Sequence, residues 1–385
     1  MRSFLLASVI LGCGSTGAPA DLGGDASLDG GLSDAATADG GVADGGSDGG
    51  HEDAGESDAG LIDMGPPCDH RLPPTDTAPL LLSETGLYDD IVAKTVASDM
   101  RLFAPRFALW SDGAEKTRWL HLPECGERID NRDPDHWSFP VGTRAFKEFA
   151  VDGKRIETRL VHRFGPGADD FLYAHYLWNE EESEAFLVTA DTPETDRVDP
   201  RGTTYTVPDV ETCPRCHGQS GGEGGGLPSR FLGVGAVQLS HGGDGITHLG
   251  LSAEGRLFRP VSEPASLPGN ATTLAALGYL HANCGFCHNE TVDGVSFPAN
   301  PFSLFLSTDA RSPWNTGAYR TAVDVPPIGF SGSCDYRVAA GSPETSCAIE
   351  RMSVRDGSTR QMPPIDTRFV HSEGIATLEA WIRTL

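Results

Sequence analysis

The sequence predicts a multidomain α+β protein: a disordered acidic tether, an antiparallel β-rich domain, then a mainly α-helical part. Three observations predict it. Residues 20–66 hold twelve Asp or Glu, no Lys or Arg, and no apolar periodicity. Between 67 and 210, short runs alternate apolar and polar residues and are broken by turn residues, the pattern of strands. Beyond 270, capped runs carry apolar residues three and four apart, the helical period. The expected divisions are 1–12, 13–66, 67–210, 211–269 and 270–385.

Met1-Arg2-Ser3 is basic, and Phe4 to Leu11 is an apolar run too short to span a bilayer. The segment reads as a signal peptide closing at Gly12. It resembles a bacterial lipoprotein signal, in which the chain is cut before Cys13 and Cys13 is lipidated. An ordinary secretory signal cut near Ala18-Pro19-Ala20 is the alternative. Gly14 stands where an Asp would imply retention at the inner membrane. The expectation is therefore an exported chain, lipid-anchored in the outer membrane and facing the periplasm or cell surface.

The Asp/Gly/Ala-rich stretch 13–66 repeats Asp-Gly-Gly at 29–31, 39–41, 44–46 and 48–50. It lacks the nine-residue period of calcium-binding β-rolls and has nothing to bury, so it reads as a solvated linker. As a Gly-rich coil of about fifty residues it would span roughly 40 Å. It holds nearly half of the net charge of −26, which excludes nucleic acid as a partner and leaves the membrane as a partner through lipid only.

In the β-rich region, strands are expected over 119–122, 145–151, 156–162, 171–178 and 185–188, with a hairpin turn at Asp152-Gly153. Its aromatic residues read as core and cross-strand pairs. Cys68 and Cys125 are a possible disulfide in an oxidising compartment, as are Cys334 and Cys347 further on.

Two copies of one motif organise the rest: Cys213-Pro-Arg-Cys216-His217 and Cys284-Gly-Phe-Cys287-His288. Two thiols three positions apart can each add across a vinyl group of one porphyrin, and the next residue then holds its imidazole under the iron. With nine Cys and twelve His in 385 residues, a shuffled chain would hold roughly 0.006 such pentamers. Two copies therefore point to two covalently bound haems c. A zinc ribbon would space its two Cys pairs about 15–20 residues apart, far closer than these.

The first motif is followed by the Gly-rich run 218–226, a loop. About fifty residues separate it from the next helix, short for a haem domain of its own. The first haem is thus expected to share walls with its neighbours. His241 and His248 are the nearest distal candidates for it, Met100 and Met352 are further ones, and an open sixth position is the alternative. Asn270 caps a helix over 271–280 that leads into the second motif. Ser372 caps a last helix to Leu385 with Ile375, Leu378, Ile382 and Leu385 on one stripe and Trp381 beside it. Met362, in Gln361-Met-Pro-Pro364, precedes that helix.

A helix ending in Cys-x-x-Cys-His, packed on a C-terminal amphipathic helix at Gly278-Tyr279, resembles a class I cytochrome c fold. That resemblance makes Met362 the distal ligand of the second haem, a soft thioether that favours Fe(II). Residues 80–385 as a whole resemble a family of bacterial di-haem c-type cytochromes with a β-rich N-terminal part. The matching stretches are Leu82-Ser-Glu-Thr-Gly-Leu87, Leu109 to Lys116, Trp137 to Thr143, Arg155 to Arg159 and Trp178-Asn-Glu180, with both haem motifs and Met362-Pro-Pro in order. The resemblance implies electron transfer at the cell envelope with redox partner proteins, the irons cycling between Fe(II) and Fe(III), and no catalytic residues. Two alternatives stand beside it. One is a di-haem peroxidase with an open position on the first haem, served by an acid–base group such as Glu223 or His241. The other is a β-domain that binds a ligand at the surface, with accessory haems.

Overall fold

Alternation with period two, set against helical runs, is realised as a mixed α+β fold with antiparallel sheets. The computed structural model describes residues 75–124, 127–189, 191–192, 198–218, 228–289, 301–329 and 332–385. The expectations for the signal segment, Cys13, the acidic linker, the Cys68–Cys125 pair and Glu223 lie outside the described residues.

A short ribbon pairs β1 (Tyr88–Asp90) with β2 (Thr95–Val96). Six further strands form one antiparallel meander in sequence order. They are β3 (Arg101–Leu102), β4 (Glu115–His121), β5 (Arg144–Val151), β6 (Lys154–Arg163), β7 (Phe171–Trp178) and β8 (Ala185–Leu187). Asp152 and Gly153 both take positive φ, 52° and 73°, the two-residue turn whose twist matches a hairpin. The register puts Trp119, Phe146, Leu160 and Ala174 side by side across four strands. That row belongs to one core together with Leu82, Met100, Tyr176 and Trp178. The residues one step along, Leu120, Ala145 and Val161, face the other way into a second core. Both faces of the sheet are therefore buried.

The second core explains why the middle segment needs no fold of its own. Its members include Phe231, Val234, Ile246 and Leu251 from 228–257, packed with Phe103, Leu122, Trp137 and Phe139. Of the short helices here, α1 (Pro214–His217), α2 (Ala236–Leu239) and α3 (His248–Ala253), the last two are held by that shared core through Ala236, Leu239 and Leu251.

α4 (Ala271–Asn283) begins at Asn270, whose side chain accepts the Thr273 N–H at 2.9 Å, and runs three residues beyond the expected end. After it come α5 (Gly317–Thr321), α6 (Cys347–Met352) and α7 (Ser372–Ile382). Ser372 is the first helical residue of α7 rather than its cap, which is His371 without a side-chain bond. α4 and α7 meet where Gly374 lets Tyr279 approach: a Cβ on Gly374 would stand 2.4 Å from the Tyr279 ring. Gly278 instead admits Phe107, whose ring would lie 2.1 Å from an added Cβ. Trp381 is fully buried in the third core, with Leu280, Met352 and Leu378.

Cys334 and Cys347 form a disulfide. It closes a loop of 13 residues, for which chain entropy alone is worth about 3 kcal/mol. Replacing both by Ala is expected to lower the urea midpoint without changing the slope of the transition. An unchanged midpoint would show that the segment 334–347 is held by its backbone bonds alone.

Candidate functional site

Both Cys-x-x-Cys-His motifs fold into the same turn. In the first, Cys216 N–H and His217 N–H both donate to the Cys213 carbonyl, at 3.2 and 2.9 Å. In the second, Cys287 N–H and His288 N–H both donate to the Cys284 carbonyl, at 3.1 and 2.8 Å. One helical turn sets the second Cys beside the first and fixes the following His. Pro214 at the start of α1 costs no backbone bond, because that N–H would have no partner in a helix anyway. Gly285 allows the second turn to close: a Cβ there would stand 2.9 Å from the His281 carbonyl and from Phe305 Cα.

The two motifs lie against each other. Cys287 Sγ donates to the Arg215 carbonyl at 3.5 Å, and the Cys216 and Cys287 thiols shift each other's ionisation in opposite directions. Arg230 bridges them. Its Nη2 donates to the Cys216 carbonyl at 3.3 Å and to the Phe286 carbonyl at 3.2 Å, with the guanidinium over the Phe286 ring. The Arg230 carbonyl in turn accepts His217 Nδ1–H at 2.9 Å, and the Arg230 N–H donates to the His217 carbonyl at 2.9 Å. A backbone carbonyl can only accept, so His217 carries its hydrogen on Nδ1 and keeps the Nε2 lone pair for a metal. His288 Nδ1 is buried and has no hydrogen-bond partner among the described residues. Its ring packs on Phe302 at 4.5 Å, and the His217 ring on Tyr173 at 5.3 Å.

Burial dominates the electrostatics. It pushes the Cys213 and Cys284 thiols up to about 12. Cys216 is also raised, first by its bond to Cys287 and then by burial. Cys287 is lowered instead, chiefly by the neighbouring Cys216 thiol. Among the described residues, no three His, Cys, Asp or Glu side chains converge as a tetrahedral site requires.

His217, His281 and His288 are each lowered from 6.5 to about 4, chiefly by desolvation. The unfolded chain therefore binds protons first as the pH falls. In the haem-free chain this contribution is fully present above about pH 6.5, fades toward about pH 4, and changes no further below that. The urea midpoint is expected to be lower at about pH 5 than at about pH 7.5. Equal midpoints would mean that these imidazoles charge in the folded state.

A mostly apolar cavity of about 460 Å³ adjoins the second motif, lined among others by Trp137, Phe231, Phe286, Phe305, Arg230 and His281. Its size is within the roughly 300–1,000 Å³ of cofactor-sized pockets. Met362 is half-buried on the loop before α7. Its N–H donates to the Arg351 carbonyl at 3.0 Å, and the charge of Arg351 also acts on His288. His241 Nδ1 accepts the Gly243 N–H at 3.1 Å, which leaves its hydrogen on Nε2, a buried atom without a partner among the described residues. His248 is buried at the start of α3, its ring 5.2 Å from Trp137. Met100 and Met352 are buried in packed cores.

Three residues went unnoticed in the sequence. His281, one turn before Cys284, accepts the Leu306 N–H on Nδ1 at 3.2 Å; its spacing from the motif was a usable signal. His175 on β7 donates from Nδ1 to the Pro208 carbonyl at 3.0 Å and sets Nε2 3.3 Å from Cys213 Sγ. In the sequence it is one more residue of an aromatic strand. Arg230 follows a Gly-rich run of sequence and no local pattern marks it. No family model, no curated protein and no solved structure matches the chain.

Proposed function

We propose that the chain is an exported di-haem c-type cytochrome that transfers electrons at the cell envelope, with a class I cytochrome c-like C-terminal part and a lipid anchor at Cys13. The observation that supports this best is the pair of identical Cys-x-x-Cys-His turns, packed together, with His217 held by its Nδ1–H so that Nε2 is available. Cys213, Cys216 and His217 would hold one haem, and Cys284, Cys287 and His288 the other. Met362 would supply the second haem's iron with a thioether sulfur. A bound haem supplies a one-electron couple, the iron passing between Fe(II) and Fe(III). The chain keeps both imidazoles neutral by burial, orients His217 through Arg230, and surrounds the motifs with aromatic rings that exclude water. Redox proteins of the envelope are the partners in this reading, through small and transient interfaces.

The deciding experiment is expression with a c-type maturation system, haem counted per chain by pyridine haemochrome, and visible spectra with and without peroxide. Two haems and no reaction with peroxide are expected. Bound zinc without haem would sink the proposal, and a high-spin haem that reacts with peroxide would replace it with the peroxidase reading. Met362→Ala is expected to abolish the weak long-wavelength Met–iron band while the haem count stays at two. A band that persists would move the distal ligand elsewhere.

A further inference from the structure

We infer that Arg230 is a potential-setting cation shared by the two haem motifs, an inference that rests on the di-haem reading. A single guanidinium touches both: Nη2 lies 3.3 Å from the Cys216 carbonyl and 3.2 Å from the Phe286 carbonyl. Its Nε is buried with no hydrogen-bond partner among the described residues. Desolvation acts against the charge, and the groups that favour it are Cys287, Cys216 and Tyr173, none of them a carboxylate.

Two of those three are the thiols that attachment would consume. A thioether sulfur cannot ionise, so in the loaded protein neither of those two sulfurs carries charge beside Arg230. A half-buried guanidinium bonded to the backbone of both motifs then stands between the two sites. The field of a partly desolvated charge is screened less than it would be in water. That field disfavours the oxidised, more positive state at either motif, so it raises both reduction potentials together. The carbonyl that orients His217 belongs to the backbone of Arg230 and survives any substitution. The charge can therefore be removed without releasing the imidazole.

The test is a spectroelectrochemical titration of the loaded, full-length protein and of Arg230→Gln, with haem counted first. Both midpoints are expected to fall, each by about a tenfold loss in the reduced-to-oxidised ratio at fixed potential, or about 59 mV for a one-electron couple. Arg230→Lys is expected to recover most of that shift. If Arg230→Gln does not load two haems, Arg230→His gives the same information within one folded protein. Its midpoints should fall as the pH rises through the imidazole range, beyond any change in the wild type. Two haems with unchanged midpoints, a shift at one haem only, or Lys behaving like Gln would overturn the inference while leaving the di-haem reading intact. A wild type that binds no haem would overturn both.

Discussion

Replacing Cys284 and Cys287 together by Ala is expected to lower the haem content from two per chain to one. Each motif turns on its own first carbonyl, Cys213 or Cys284, and each has its own thiols and imidazole. Neither needs the other to present a complete attachment site. The reciprocal double variant, Cys213→Ala with Cys216→Ala, is expected to retain the other haem. The surviving haem should nonetheless show a changed spectrum or potential. Cys287 reaches the Arg215 carbonyl, and Arg230 bonds to the backbone of both motifs, so the packing around the remaining site loosens. Pyridine haemochrome on the purified variants decides it. Two haems remaining in either double variant would refute covalent attachment at that motif. None remaining would show that the motifs load as one unit.

Trp381→Ala should be the most destabilising single change in the C-terminal core, at about 3–5 kcal/mol. The side chain is fully buried, between α4 and α7 neighbours that include Leu280 and Leu378. Truncation would leave a cavity of aromatic size in a packed interior and would strand the Tyr319 hydroxyl, which now accepts Trp381 Nε1–H at 3.1 Å. Tyr319 also loses an edge-on ring contact at 5.5 Å. Trp381→Phe keeps most of the volume and loses the bond, so its cost should be well under half. Urea or thermal unfolding of both variants gives the comparison. Equal costs would mean that the hydrogen bond, not the packing, holds α7 in place.

Much of the fold was legible because it rests on local chemistry. The strand 171–178 was readable to the residue, since aromatic and apolar side chains favour a strand and the acidic turn 180–182 bounds the run. Asp152-Gly153 and the Asn270 cap were readable for the same reason: each needs only its own side chain and the next few backbone groups. Ser372 failed as a cap because a cap requires the residue to stay outside the helix, and the contact of His371 with Tyr279 moves the start one residue earlier. Trp381 was placed beside its stripe rather than at its centre because helical periodicity gives a direction and not a depth.

The sequence by itself determined an antiparallel β-rich region, the Asp152-Gly153 hairpin, and the residue types that a porphyrin would need, because spacing along the chain dictates them. Only the tertiary structure decided that the motifs touch, that Arg230 bridges them, that the middle segment shares the core of the sheet, and which nitrogen of His175, His217, His241 and His281 carries its hydrogen. Those depend on contacts between residues far apart in sequence, and on which donor or acceptor burial leaves facing each imidazole.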